Sequence, residues 1–205
     1  MSRYTDHIPT PPPTITDEEQ RRLLQVTGEH RAGFRDHVIV ALALGTGLRE
    51  HEIAALDVGD VVTPEDSVRR QIRLRVFKRS NPDSEFQQVM LSDTLRVKLR
   101  HFLGWKERHG QDLAPTAPLF VSRKRNRLST RQMRTLFARW QDRAGFERRY
   151  SFHALRHTAC TNHYRQCRDL RLTQRFARHR SVATTQRYTH PSLEELLASV
   201  QGLRC

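Results

Sequence analysis

Cysteine is scarce in this 205-residue chain: Cys160, Cys167 and Cys205 are the whole set. An odd, small set does not build a disulfide framework. It fits a reducing, cytoplasmic compartment. No run of about 18 apolar residues occurs, so a membrane-spanning helix is excluded. The opening stretch through Pro13 lacks the apolar segment of a secretory signal. Acidic residues are few, 22 against 36 Lys+Arg, which leaves a formal net charge of +14. Lysine itself is rare: Lys78, Lys98, Lys106 and Lys124 are the only ones, and the other 32 basic residues are arginine.

A positive excess of this size points to a polyanionic partner. Duplex DNA carries a negative charge every ~1.7 Å, and neutralising its phosphates releases counterions. The planar arginine fork meets two phosphate oxygens at once, so the arginine bias suits phosphate contact. A coding bias that decorates solvated faces explains the Arg/Lys ratio better than it explains the net charge. A membrane surface fits less well, because the basic residues are not confined to one amphipathic helix.

One domain over 15–205 is expected, preceded by a proline-rich flexible arm over 1–14 with Pro9, Pro11, Pro12 and Pro13. Thr16 and Glu19 form a capping box. A helix from near Asp17 should turn Leu23, Leu24 and Val26 inward. An apolar helix follows from Phe34 to Leu44 and stops at Gly45-Thr46-Gly47. Arg49 to Leu56 is helical again. Then the period changes: Ile72, Leu74 and Val76 alternate with Gln71, Arg73 and Arg75, as in a half-buried strand. Ser80-Asn81-Pro82-Asp83 is turn chemistry and Gln87 to Leu91 the return strand, so Lys78 sits near a hairpin tip. Further helices are predicted from Ser92, Ser129 and Ser151, over Leu170–Arg178, and from Ser192. Ser181–Tyr188 reads as a short helix or turn. The fold class is mixed α/β, mainly α-helical with a small antiparallel β-sheet.

His157, Cys160, His163 and Cys167 invite a zinc reading. Four ligands on one helix cannot close a tetrahedron, since an i, i+10 pair lies about 15 Å apart. Core cysteines and exposed histidines are expected there, with no metal.

Four short motifs carry chemistry in order: Gly45-Thr46-Gly47-Leu48-Arg49-Glu50-His51-Glu52-Ile53, then His153-Ala154-Leu155-Arg156-His157, then His179, then Thr184 through Tyr188, Thr189 and His190. His179 follows Arg156 by 23 residues, and Tyr188 follows nine later. Each motif alone is weak. Together, in this order and spacing, they resemble the catalytic domain of the tyrosine recombinases, the phage-integrase family, over nearly the whole chain.

The resemblance implies a site-specific DNA recombinase that cuts and rejoins strands through a 3′-phosphotyrosyl link, without metal, ATP or other cofactor. Tyr188 is the implied nucleophile. Arg49 and Arg156 grip the phosphate, His153 accepts the tyrosine proton, and Lys78 protonates the leaving 5′ oxygen. His179 bonds a phosphate oxygen or orients the tyrosine, and Glu52 is an orienting acid. Phosphate contacts are expected from Arg79, Arg123, Lys124, Arg125, Arg127, Arg178 and Arg180. The partner is double-stranded DNA. The final helix, 191–205, is expected to dock on a neighbouring protomer and build a tetramer on paired sites, and an accessory DNA-binding protein is a further expected partner.

The chain departs from the family pattern in four ways. Arg178 stands where glycine is common. The hairpin reads Phe77-Lys78-Arg79-Ser80 without a glycine-flanked lysine, so Lys78 and Arg79 compete for the role. No N-terminal core-binding domain is expected in 1–14. His157 and His163 are extra imidazoles. Two alternatives stay open: an accessory DNA-binding protein of the same fold, and a type IB topoisomerase, against which the pair His153 and His179 argues.

Overall fold

The computed structural model describes residues 12–30, 33–75, 86–188 and 200–201. Helix α1 (Asp17–Glu29) starts where the capping box places it. The Glu19 N–H donates to Thr16 Oγ1 at 3.2 Å, and the Thr16 N–H donates to the Glu19 carboxylate at 2.7 Å. Such a cap contributes about 1 kcal/mol. Pro12 and Ile15 are already buried, and the Ile15 N–H donates to Thr158 Oγ1 at 3.0 Å. The end of the expected arm is therefore packed on the body, and 1–11 lie outside the described residues.

Helix α2 (Phe34–Thr46) is buried without a break from Asp36 to Ala43 and packs against its neighbours on several sides. A helix apolar all round belongs in a core rather than on a surface. It runs through Gly45 and Thr46, two residues past the expected stop, and ends at Gly47. Short helices α3 (Glu50–Ala55) and α4 (Val58–Val61) follow. The four-residue α4 is too short for any helical period to register in the sequence. Strands β1 (Gln71–Arg75) and β2 (Phe86–Met90) pair antiparallel, with Gln71 opposite Met90 and Ile72 opposite Val89. Ile72, Leu74 and Val89 are buried while Met90 faces out, as a two-residue period requires.

The remaining helices are α5 (Asp93–Arg108), α6 (Thr130–Arg143), α7 (His153–Cys167), α8 (Leu170–Ala177) and α9 (Val182–Gln186). The class expected from the sequence holds: mostly helical with one small antiparallel sheet. One cap differs. The N-cap of α7 is Phe152, not Ser151, and no side chain caps it. The Ser151 carbonyl instead accepts the Ala154 N–H at 3.0 Å. Buried Phe152 anchors the helix start edge-on to Phe137, with ring centroids 5.7 Å apart. Packing replaces the serine cap. Helix α7 lies against both α2 and α8, which brings its polar face beside the Gly47 turn.

Gly47 holds that turn. Its φ of 61° lies in the left-handed region, and its N–H closes α2 onto the Ala43 carbonyl at 3.0 Å. A Cβ there would sit 3.2 Å from Phe176 Cε1. Gly47→Ala is expected to cost about 1–2 kcal/mol and to lower the melting temperature by about 2–4 °C per kcal/mol. Thermal melts check this; an unchanged midpoint would show that the turn relaxes freely.

Candidate active site

Five side chains named from the sequence come from three separated segments. Arg49 precedes α3, His153 and Arg156 lie on α7, and His179 and Tyr188 flank α9. The floor is a small apolar cluster of Cys160, Ala177 and Tyr188, with Phe176 packed beside it.

Arg156 is 2% exposed. Its Nη1 donates to the Gly47 carbonyl and its Nη2 to the Ala177 carbonyl. One guanidinium thus ties the turn after α2 to the end of α8. Burial pushes its pKa down to about 10, helped by Arg49 nearby. Arg49 keeps a third of its side chain open and donates from Nη1 to Glu52 Oε1 at 2.9 Å. The other Glu52 oxygen accepts the Arg49 N–H at 2.7 Å and Arg178 Nη2 at 2.7 Å. Burial alone would raise the Glu52 carboxyl, but Arg178, Arg49 and Arg156 hold it below the ordinary value. The expected orienting acid is therefore an anion clamped between two guanidinium groups.

Tyr188 is 7% exposed. Its hydroxyl lies 2.8 Å from His157 Nδ1. The Cys160 thiol is also within hydrogen-bonding reach of that hydroxyl. The imidazole on the phenol is thus His157, one turn beyond the expected acceptor His153. The two rings meet edge-on at 4.5 Å between centroids. The expectation of exposed histidines on this helix is corrected as well: His157 and His163 are both half-buried. His157 stands against Tyr188, and the His163 ring stacks on Phe176 at 4.3 Å. The i, i+4 spacing of His153 and His157 was the available signal, since it puts both on one helical face. His179 stacks beside the Tyr188 ring at 6.0 Å, 12° from parallel, and its Nδ1 is 2.9 Å from Thr185 Oγ1.

Burial keeps these groups neutral; neighbouring cations add to it at the imidazoles and oppose it at the phenol. Burial takes Tyr188 up to about 12. Burial takes His157 down to about 4, with His153 and Arg187 adding to it, and His179 also to about 4, with Arg156 and Arg49 adding to it. His153 is exposed at the surface, yet packing around its ring and then Arg156 and Arg49 also lower it. His37 and His163 are lowered too, chiefly by burial.

A histidine lowered in the fold is protonated more readily in the unfolded chain. Its stabilising contribution is full above the unfolded value of about 6.5 and is lost as pH falls toward 4. The melting temperature is therefore expected to decline steadily between pH 6.5 and 4, with five histidines contributing. A melting curve flat across that window would contradict the burial argument.

Arg49 and His179 open onto a cleft of about 750 Å³, also lined by Arg171, Gln174, Arg180, Ser181, Val182 and Thr184. Arg171 was not singled out from the sequence; it sits one turn ahead of Gln174 on α8 with no motif to mark it. Arg180, Arg123, Lys124, Arg125 and Arg127 are exposed. Two of these serve the fold as well. Arg125 donates to the Gly110 carbonyl at 2.9 Å, and Arg127 is ion-paired with buried Asp57 and donates to the Leu56 carbonyl at 3.1 Å. Arg178 does not present its side chain to the surface as expected of a phosphate contact. That side chain is 7% exposed and turned onto Glu52. Lys78, Arg79 and, of the expected helix over 191–205, all but residues 200–201 lie outside the described residues. Among the described residues no cluster of three metal-ligating side chains exists, and no helix is long and apolar enough to cross a membrane.

Known proteins are similar to this chain in sequence and fold. The model of the "Phage integrase family" matches residues 13–195. Tyrosine recombinase XerC of Vibrio cholerae is 30% identical over 187 residues, covering 91% of this chain and 57% of the relative. The XerC of Corynebacterium glutamicum is 31% identical over 197 residues, covering 89% and 60%. The chain thus spans somewhat over half the length of these relatives. The crystal structure of XerA recombinase superposes with a TM-score of 0.76 at 27% identity, covering 96% of this chain and 68% of that one. The XerH recombinase bound to its difH substrate superposes at 0.72, with 21% identity, which bears on the fold alone. The motif order, the fold and the family match agree, and this chain belongs to the phage integrase family of tyrosine recombinases.

Proposed function

We propose that this chain is the catalytic domain of a site-specific recombinase that cleaves and rejoins duplex DNA through Tyr188. The reading rests on one observation above all: Arg49, Arg156, His153 and His179 gather with a nearly buried phenol whose oxygen touches an imidazole. Tyr188 Oη attacks the scissile phosphorus. The bond to the 5′ oxygen breaks, and a 3′-phosphotyrosyl link forms. The phenolic proton passes to His157, 2.8 Å away. The 5′ oxygen takes a proton from Lys78. Arg49 and Arg156 offset the charge that grows on the phosphoryl oxygens; donors of this kind are worth about 3–4 kcal/mol each.

With the phenol held high and the imidazole held low by burial, the pair rests neutral, and proton transfer accompanies P–O bond formation. The phosphodiester link is conserved in the tyrosyl ester, so a second 5′-hydroxyl reverses the step without ATP. Four such protomers would exchange strands on paired sites, linked through 191–205, with an accessory DNA-binding protein completing the grip on the duplex.

A nicked suicide duplex tests the reading. An SDS-resistant protein–DNA adduct followed by Holliday junctions is expected. Adduct with supercoil relaxation alone would mean a topoisomerase, and gel retardation without adduct an accessory binder. Retardation should weaken steeply with salt in every case.

A further inference from the structure

Arg178 occupies a backbone position that disfavours it. Its φ of 54° and ψ of 44° lie in the left-handed region, the C-cap of α8, where glycine has no steric penalty. Its side chain nonetheless turns inward, 7% exposed, and donates from Nη2 to Glu52 Oε2 at 2.7 Å. Its Nε and Nη1 are buried without a hydrogen-bond partner. Burying a guanidinium with two idle donors in a left-handed residue does not serve stability. Costs of this kind collect at functional sites. Glu52 is the carboxylate that also holds Arg49, through both its backbone N–H and its guanidinium. The next residue in the chain is His179.

We infer that Arg178 is a positioning residue: through Glu52 it fixes the Arg49 guanidinium for the phosphate, and through the backbone it couples that grip to the placement of His179. The inference rests on the recombinase reading. Glu52 takes hydrogen bonds from Arg49 at the start of its own helix and from Arg178, 126 residues further along the chain. Without Arg178 the carboxylate would be held by Arg49 alone, and the open third of the Arg49 side chain would be free to swing. Two guanidinium groups, those of Arg49 and Arg178, bond the carboxylate, and a third, Arg156, acts on it through its charge. The cluster keeps a positive excess that only an arriving anion balances.

The test compares the parent chain with Arg178→Gly, Arg178→Lys, Glu52→Gln and the double variant Arg178→Gly/Glu52→Gln. Glycine suits the backbone at 178, so folding is retained; melting curves verify it. Single-turnover cleavage of the suicide duplex is expected to slow about a hundredfold in Arg178→Gly, with DNA retardation within about twofold of the parent. Arg178→Lys, which restores the charge to Glu52, should recover part of the rate. The double variant should be no slower than the worse single one, because both break the same link. Parental cleavage in Arg178→Gly, or fully additive losses in the double variant, overturns the inference. An arm independent of cleavage follows the His179 imidazole by NMR in Arg178→Lys, which keeps the charge: its ring resonances are expected to shift from the parent's, and unmoved resonances overturn the coupling. If the parent itself yields no adduct, the recombinase reading fails, while the NMR arm still decides the placement of His179.

Discussion

Tyr188→Phe is expected to abolish the covalent adduct while leaving DNA retardation within about twofold of the parent. The substitution removes one oxygen and little else. The ring stays in the cluster with Cys160, Ala177 and Phe176, so the floor of the site keeps its packing. What is lost is the nucleophile and its contact with His157 at 2.8 Å. One partly buried hydrogen bond contributes about 1 kcal/mol, so the melting temperature moves by a few degrees at most. Removing the attacking atom itself costs more than about ten-thousandfold in rate, because the neighbouring Cys160 thiol is fully buried and held protonated by that burial. Denaturing gels of nicked-duplex reactions read this directly. A residual adduct in Tyr188→Phe would mean that another side chain attacks and that Tyr188 only packs.

Arg156→Ala is expected to be almost as damaging to cleavage and far more damaging to the fold. The guanidinium holds two carbonyls, Gly47 in the turn after α2 and Ala177 at the end of α8. Deleting it leaves both acceptors in a nearly dry place, a cost of about 1–3 kcal/mol each. The loss of a donor to the phosphoryl oxygens lowers cleavage by a further factor of about a hundred to a thousand. Arg156→Lys separates the two roles. An ammonium keeps the charge but is a point donor without the fork, so it cannot span both carbonyls and a phosphate. Cleavage at a temperature well below both melting points, alongside urea unfolding, distinguishes the effects. Full activity in Arg156→Lys would show that charge alone suffices and that the planar geometry is irrelevant.

Helix ends, the hairpin strands and the core stripes were legible because each depends on local pattern. Thr16 with Glu19, and the alternation of Ile72 and Leu74, needed no distant partner to be read. Missing from the pattern were α4, which is barely longer than one helical turn, and the start of α7, which Phe152 secures by packing on Phe137 rather than by a serine cap. The motifs located Arg49, His153, Arg156, His179 and Tyr188, since the order and spacing of rare residue types survive without coordinates.

Which imidazole meets the phenol did not follow from order. His153 and His157 share a face of α7, and a displacement of one helical turn, about 5.4 Å, decides between them. That choice belongs to the path of the chain through α9, which sets Tyr188 against His157. The pairing of Arg178 with Glu52 is likewise tertiary, for the two are brought together only by the docking of α8 beside the turn that follows α2. Linear sequence determined which chemical groups the protein carries, how most of its helices begin and its net charge of +14, because charge and periodicity are additive along a chain. The tertiary structure alone decided which of those groups touch and which stay neutral, because contact and burial depend on segments that only packing brings together.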